Sequence, residues 1–558
     1  MPAPGGDAVR ELLAAVRSGK ITEADVDDRL DELLTLVLDT HAAVERHSRS
    51  FDADAHHALA RRAAGESVVL LKNDDALLPL AEGTRVAVIG DFAETPRYQG
   101  AGSSAVNSIK VDTFLDCLSD SGLHSVGFAP GFDRQGKPDA AKQAEAVALA
   151  AKADAVLLCL GLDEIKESEG LDRADMKLAD NQIELLQAVR EANPNTVVIV
   201  NAGASLETPW LAHCKALVYG ALGGQAGAGA MVDVLTGKIN PGGKLAETWA
   251  NAYADTPARD HFAGPGRTVQ YREGLYVGYR YYQTAGVPVA FPFGHGLSYT
   301  QFAYSDLHAD AHSATLTVTN TGDRAGAEIV QLYVAKPNAE IFRPAQELKA
   351  FAKVQLAAGE SKTVTLTLDD KAFRYRNTRT DSWEVEGGTY ELRVGASSAD
   401  IRLTAAVEVI GTDALNPYAG KALPHYQSGK VQTVPDAEWE TLLGRPIPDD
   451  RVKIDRNMTL GELNHGRSPL GWLVWAVLTA LLNASYKKGK PDLNVLFQYN
   501  MPLRALAKMT NGAISMGMVD GIVMEVQGFW VIGLVRVIFE AVKNVILNAQ
   551  LENRLRNS

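Results

Sequence analysis

Between residues 66 and 235, short apolar runs alternate with helical segments, and this alternation restricts the fold more than any other feature of the chain. Arg85-Val-Ala-Val-Ile-Gly90, Ala153-Asp-Ala-Val-Leu-Leu-Cys-Leu-Gly161, Thr196-Val-Val-Ile-Val-Asn201 and Ala216-Leu-Val-Tyr219 are nearly continuous apolar runs. A strand of that kind is buried on both faces, as strands of parallel sheets are. Residues 111–118, 138–152 and 181–193 lie between these runs and carry helical patterns, the last stopped by Asn193-Pro194. The expectation is an α/β sandwich domain over 61–255, a mostly parallel sheet with helices on both faces. Ligands approach such sheets through the loops at the carboxyl ends of the strands.

The period changes downstream. Ala314-Thr-Leu-Thr-Val-Thr319, Lys362-Thr-Val-Thr-Leu-Thr-Leu368 and Tyr390-Glu-Leu-Arg-Val394 alternate apolar and polar residues, with Asn320-Thr-Gly322 and Glu386-Gly-Gly388 as turns. That spacing predicts an antiparallel β-sandwich over 301–412, with 256–300 as a linker. Residues 1–60 read as a helical segment: Thr22 and Asp25 have the spacing of a capping box, and Val26, Leu30, Leu33 and Val37 form a stripe that needs a neighbour to cover it. Residues 413–558 read as a Pro-rich linker followed by an apolar helical tail over 468–548. Its most hydrophobic run, Leu470 to Leu482, is shorter than the roughly 20 residues of a membrane-spanning helix. Packed or interfacial helices are expected there, which leaves open a homo-oligomer or a membrane-surface contact.

The net charge of -13, with no basic run, argues against nucleic acid as a partner. Cys117, Cys159 and Cys214 are odd in number and widely spaced, so neither a disulfide framework nor a metal site is expected. His56-His57 reads as surface, and no cofactor is expected. The opening Met-Pro-Ala-Pro-Gly-Gly has no basic segment followed by an apolar one, so the expected compartment is the cytoplasm.

Two loops hold the candidate chemistry. Gly161-Leu-Asp-Glu-Ile-Lys-Glu-Ser-Glu-Gly-Leu-Asp-Arg173 follows a strand and carries five carboxylates between Asp163 and Asp172. An acidic loop is usually a solvated surface. Here Ser168-Glu169-Gly170 sets a carboxylate beside a permissive glycine, and Asp172-Arg173 offers an internal ion pair to order the loop. A glutamate on an ordered loop suits proton donation to a leaving glycosidic oxygen. Thr95-Pro-Arg-Tyr-Gln-Gly-Ala-Gly-Ser-Ser104 mixes donors, an aromatic ring and glycines, which suits a polyhydroxylated ligand. Gly100-Ala-Gly-Ser-Ser-Ala105 also fits G-x-G-x-x-A, but it stands well past the strand end at Gly90 with Pro96 between, so a nucleotide-binding reading fails on spacing. A third, glycine-rich loop, 220–230, lacks the Lys-Ser/Thr ending of a P-loop and is expected to serve helix–sheet packing.

These segments together resemble the C-terminal part of glycoside hydrolase family 3, of β-glucosidase type. The resemblance is carried by Glu66-Ser-Val-Val-Leu-Leu-Lys-Asn73, Arg97-Tyr-Gln-Gly-Ala-Gly-Ser-Ser104, Glu167-Ser-Glu-Gly-Leu-Asp-Arg173, Gly237-Lys-Ile-Asn-Pro-Gly-Gly-Lys-Leu-Ala-Glu-Thr248, Tyr271 to Tyr281, and Phe291-Pro-Phe-Gly-His-Gly-Leu-Ser-Tyr299, in the family's order. It implies a fibronectin type III-like domain for the β-sandwich. It also implies a general acid/base at Glu169, with Glu167 as the fallback, and Arg97, Tyr98, Gln99 and Ser103 near the sugar. The family places a (β/α)8 barrel with the nucleophilic aspartate first. This chain opens with Met1-Pro2, resembling the Met-Pro found just after the last barrel strand, so the barrel is expected to be missing. A retaining glycosidase needs two carboxylates about 5 Å apart, and the resemblance supplies one. The expectation is therefore a β-glucosidase-like hydrolase of terminal β-D-glucosyl residues that is inactive alone and takes its nucleophile from a longer chain or from a barrel in trans. The alternative is a non-catalytic sugar-binding or scaffolding remnant.

Overall fold

The computed structural model describes residues 7–46, 50–264, 268–489 and 491–557; Met1-Pro2 lies outside them. The chain forms two units, Asp54–Asp449 and a second made of Met1–Ala53 with Asp450–Ser558. Helices α1 (Asp7–Arg17) and α2 (Glu23–Arg46) open the second unit. The capping box forms ahead of α2: Thr22 N–H donates to Asp25 Oδ2 at 2.8 Å, and Asp25 N–H to Thr22 Oγ1 at 3.1 Å. The stripe beyond it stays uncovered, for α2 buries no residue, and Leu30, Leu33 and Val37 are exposed.

The larger unit begins around α3 (Ala53–Ser67) and holds a six-stranded sheet. Its elements are β1 (Val69–Asn73), β2 (Arg85–Ile89), α4 (Phe114–Leu118), β3 (His124–Ala129), α5 (Ala140–Ala150), β4 (Ala155–Gly161), α6 (Asp180–Ala192), β5 (Thr196–Asn201), β6 (Ala216–Tyr219) and α7 (Gly227–Leu235). The strand order is β1-β6-β5-β4-β2-β3. All pairs are parallel except β1 with β6, so β1 is an antiparallel edge. The helices start where the sequence offers caps: Thr113 accepts from Asp116 N–H ahead of α4, and Asp139 from Lys142 N–H ahead of α5. The apolar strand residues form one core, with every residue of β4 buried.

The segment 256–300, expected as a linker, folds into α8 (Tyr279–Ala285) and β8 (Val289–Phe291), the latter paired with β7 (Trp249–Ala250). The sandwich follows as two antiparallel sheets. One contains β9 (Phe302–Ala309), β10 (Ser313–Asn320) and β13 (Ser361–Thr367). The other contains β11 (Gly326–Ala335), β12 (Glu347–Leu356), β16 (Gly388–Gly395) and β17 (Ile401–Val409), while β14 (Arg374–Asn377) and β15 (Ser382–Val385) make a separate hairpin. Burial along β10 alternates residue by residue, as the period-2 pattern requires.

Residues 413–449, expected as a Pro-rich linker, belong to this larger unit. Around α9 (Pro424–Ser428) and α10 (Asp436–Leu443), the side chains of Leu423, Tyr426, Val431 and Val434 share a core with Ala250, Tyr276, Tyr281 and Tyr282. The sequence hides this because the anchors are isolated apolar residues among prolines, without a period. In the second unit, α11 (Pro469–Tyr486), α12 (Leu493–Asn500), α13 (Leu503–Met509), α14 (Met516–Val526) and α15 (Trp530–Asn557) surround a small core of Met458, Leu463, Leu503, Val519, Val523 and Val526. Arg10 of α1 donates to Asn548 of α15 at 3.0 Å, which ties the two ends of the chain into this unit. The 18 residues of α11, with a mean hydropathy of 1.3, are long and apolar enough to cross a membrane by length and composition. Leu478 and Leu482 are nonetheless buried within the protein.

Candidate active site

Strand order builds the site. Because β5, β4 and β2 are parallel neighbours, the loops that follow them emerge side by side at their carboxyl ends. The loop after β2 holds Arg97 to Ser104, the loop after β4 holds Glu167 to Arg173, and the loop after β5 holds Gly203 and Ser205. The first two join through a bridge between Ala101 and Ser168, with Glu169 N–H donating to Ala101 O at 2.9 Å.

The two glutamates singled out in the sequence occupy different environments. Glu167 is locked inward: Arg97 Nη1 donates to its Oε2 at 2.5 Å, Arg97 Nη2 to its carbonyl at 2.8 Å, and Gly203 N–H to the same Oε2 at 3.0 Å. Glu169 is exposed, and Ser103 N–H donates to its Oε2 at 2.5 Å. The Ser103 hydroxyl and N–H hold the Glu169 carboxyl below the ordinary glutamate range against a weak opposing effect of burial, and no charged group contributes. Gly102, at φ +136°, allows this approach, since a Cβ there would stand 2.5 Å from Glu169 Oε2.

The four expected sugar contacts divide. Ser103 is exposed beside Glu169. Arg97 has a side chain only 1% exposed, with Nη1 donating also to Leu162 O at 3.0 Å, so it braces the acidic loop from below. Gln99 spends both ends of its amide on Val106, at 2.8 and 3.0 Å, and donates to the Tyr98 hydroxyl at 3.0 Å. Tyr98 in turn accepts Gly224 N–H through its carbonyl at 2.9 Å, which ties the glycine-rich loop ahead of α7 to the site.

Two expectations change in detail, and the rejection of a nucleotide site stands. Arg173 makes no ion pair with Asp172; its Nη1 donates to Ser205 O at 3.2 Å, while its Nε and Nη2 have no hydrogen-bond partner. The carboxylates acting on the half-buried Arg173 guanidinium are those of Glu167, Asp175 and Glu247, not that of Asp172. The loop is ordered by Arg97–Glu167 and by Lys166–Asp175 at 2.9 Å. His57, read as surface, is buried: its Nε2 lies 2.9 Å from Asp112 Oδ1, and Gln225 Nε2 lies 2.9 Å from its Nδ1. No helix opens directly behind Gly100–Ala105, the next being α4 at Phe114, so the dinucleotide pattern has no structural counterpart. Among the described residues, no group of three or more His, Cys, Asp or Glu side chains is arranged to hold a metal.

The site is open. The cavity beneath the loops, lined by Phe92, Arg97, Tyr98, Asp112, Cys159 and Asn201 among others, measures about 40 Å³. That is room for about one water and far below the roughly 300 Å³ or more of a ligand pocket. Larger hollows, of about 470 Å³ around Lys244 and Glu328 and about 840 Å³ around Arg61 and Asp233, include no residue of either candidate loop. This surface can present a carboxylate to a ligand; enclosing a sugar takes a second wall.

Comparison with known proteins agrees with this geometry. Residues 68–299 match the glycosyl hydrolase family 3 C-terminal domain, and residues 328–398 match the fibronectin type III-like domain. An exo-α-(1→6)-L-arabinopyranosidase from Bifidobacterium breve is 44% identical over 423 residues, 73% of this chain and 56% of that protein. The thermostable β-glucosidase B of Acetivibrio thermocellus is 41% identical over 425 residues, 74% of this chain and 56% of that protein. The crystal structure of a Bifidobacterium adolescentis family 3 β-glucosidase superposes with a TM-score of 0.71 at 41% identity, covering 77% of this chain and 64% of that one. The chain thus spans little more than half the length of the curated relatives it matches. Among its own described residues, the parallel strands all lie in the six-stranded open sheet.

Proposed function

We propose that this chain, which belongs to glycosyl hydrolase family 3 through its C-terminal and fibronectin type III-like domains, carries the general acid/base of a retaining β-glucosidase and takes its nucleophile from a barrel domain. The observation that carries the proposal is the placement of Glu169: a solvent-facing carboxylate on a braced loop at the carboxyl end of the sheet, with Glu167 committed to Arg97 beneath it.

In the first step, a barrel carboxylate attacks the anomeric carbon while the Glu169 carboxyl passes its proton to the leaving glycosidic oxygen. In the second, the Glu169 carboxylate removes a proton from water, which attacks the same carbon and releases the sugar and the nucleophile. An uncovered Glu169 is ionised at neutral pH, the wrong state for the first step. A barrel wall that excludes water would raise its pKa by desolvation. Glu169 is therefore poised as a base in this chain and becomes an acid on closure.

Terminal β-D-glucosyl residues are the proposed substrate, as in the relatives named β-glucosidases. An α-L-arabinopyranoside also presents an equatorial leaving oxygen, so the same acid/base placement serves it, and the choice between sugars falls to the covering wall. The cytoplasm is the proposed compartment, in keeping with the free thiols of Cys117, Cys159 and Cys214.

A second reading, a sugar-binding or scaffolding role without catalysis, is favoured by the lack of any charged group acting on Glu169. The test is hydrolysis of p-nitrophenyl β-D-glucoside by the chain alone and by the chain joined to a family 3 barrel. Activity in the joined form that disappears with Glu169→Gln supports the enzymatic reading. A joined form that binds glucose without turnover supports the other.

A further inference from the structure

Arg97 and Glu167 join the loops after β2 and β4 near their tips. A second arginine joins the same two loops near their roots. Arg134 lies in the loop after β3, and the strand order puts β2 between β3 and β4. A side chain from the β3 loop must therefore reach past the β2 loop to meet the β4 loop. Arg134 does so. Its Nε donates to Asp91 Oδ2, its Nη2 donates to the Thr95 carbonyl, and its Nη1 lies 3.6 Å from Glu164 Oε1. Its guanidinium carbon stands 4.4 Å from the centre of the buried Phe92 ring. Asp91, Phe92 and Thr95 open the loop that carries Ser103, and Glu164 opens the loop that carries Glu169.

Nε, Nη1 and Nη2 each face a partner, and one side of the guanidinium plane lies on a ring. Arginine suits this arrangement because its donors are fixed in a rigid fork, whereas a lysine ammonium is a point charge on a flexible stem. The segment that supplies Arg134 is itself ordered. Asp133 Oδ1 accepts the N–H groups of Gln135 and Lys137 at 3.1 and 3.2 Å. Asn181 of α6, a buried side chain, donates to the carbonyls of Asp133 and Lys137 at 2.8 and 3.2 Å. The Arg134 side chain is only 13% exposed, so salt screens its ion pairs less than it screens pairs on the surface.

We infer that Arg134 is a positioning residue for Glu169: it clamps the roots of the two loops whose tips meet at Ser103 and Glu169, and so fixes where the carboxylate points. It acts through the loops, since its partners are Asp91, Phe92, Thr95 and Glu164, with neither Ser103 nor Glu169 among them. The inference rests on the reading of Glu169 as the acid/base, and the experiment has a readout for each.

The first readout uses the chain alone. In Arg134→Met, the Glu169 inflection followed at the Ser103 amide should move up toward the ordinary glutamate value of about 4.3, because the loop tips no longer hold their register. Arg134→Lys should move it less. The second readout is a double-substitution cycle in the barrel-joined chain, with methyl and 2,4-dinitrophenyl β-glucosides as substrates. A misdirected proton donor matters most where the leaving oxygen needs the proton. Arg134→Met should therefore lower kcat for the methyl glycoside about 10- to 100-fold with KM nearly unchanged, and for the dinitrophenyl glycoside less than about threefold. In the Glu169→Gln background the same substitution should slow the methyl glycoside by less than about twofold, since no donor remains to misdirect. If Arg134→Met does not fold, Asp91→Asn removes one partner at constant shape and carries the same predictions at smaller size. An unmoved Ser103 inflection overturns the inference, as does equal slowing of both glycosides by Arg134→Met or slowing that multiplies with that of Glu169→Gln. Equal slowing of both glycosides by Glu169→Gln alone is a different result: it ends the acid/base reading, and the Ser103 inflection then decides whether Arg134 is the clamp.

Discussion

Ser103 N–H lies 2.5 Å from Glu169 Oε2, so a bond between residues 66 positions apart fixes the candidate acid/base. The bond exists because β2 and β4 are parallel neighbours and because Gly102 has no Cβ to block the approach. Local geometry at a glycine therefore decides where a carboxylate on another loop can sit.

Gly102→Ala tests that relation. Its Cβ would collide with Glu169 and would hold φ +136° against a side chain's preference, which costs on the order of 1–3 kcal/mol. The collision is relieved if Glu169 swings away. Urea denaturation should show a modest loss of stability, and kcat/KM of a barrel-joined chain should fall about 100-fold, as expected for misplacement of about 1 Å. Unchanged kinetics would mean that the Ser103–Glu169 contact does not set the reactive position.

Arg97 and Glu167 form the brace beneath the site. Arg97→Met leaves a half-buried Glu167 carboxylate without its cation and should destabilise the larger unit by about 3 kcal/mol, measured by urea denaturation. Glu167→Gln keeps a hydrogen-bond acceptor and should cost less. If Glu167 were the acid/base, Glu167→Gln in a barrel-joined chain would abolish turnover of poor leaving groups while leaving stability intact; a stability loss with residual turnover is predicted.

The pH response of Glu169 has a definite sign. Its carboxyl is held below the usual range by Ser103, so the loop bond is fully present above the ordinary glutamate pKa of about 4.3 and is lost as pH falls through the lower folded value. The Ser103 amide resonance in serine-labelled protein should report this inflection, and Glu169→Gln should remove it. With a barrel joined, the inflection should move upward. An inflection already above the ordinary range in the chain alone would contradict the exposed geometry.

Thiol chemistry tests the core. Burial pushes Cys117 up to about 11 and Cys159 and Cys214 up to about 12. At pH 8 about one in a thousand or fewer of these thiols is ionised, so a disulfide reagent should label the native protein very slowly and all three positions in denaturant. Rapid native labelling of Cys159 would contradict the burial of β4.

Much of this fold was legible in the sequence because continuous apolar runs have few interpretations when glycines and helices separate them. β4 and β5 appeared where Ala153–Gly161 and Thr196–Asn201 predicted them. The alternation in Ala314–Thr319 likewise predicted a strand, found as β10. What stayed hidden depended on distant partners. His57 finds Asp112 and Gln225 at separations of 55 and 168 residues, and nothing local distinguishes it from an exposed histidine. Arg97 could be placed near the site but not assigned to Glu167, because whether a guanidinium faces a ligand or a loop is set by the strand order. The openness of the site was equally unreadable, since a pocket's size belongs to the packed structure.

The most direct test of the account compares two leaving groups in the barrel-joined chain, with and without Glu169→Gln. A methyl β-glucoside needs its leaving oxygen protonated, whereas a 2,4-dinitrophenyl β-glucoside does not. The account predicts that Glu169→Gln slows glycosyl transfer to the enzyme by 100-fold or more for the methyl glycoside and by less than about 10-fold for the dinitrophenyl one. Equal slowing of both substrates would show that Glu169 is not the proton donor.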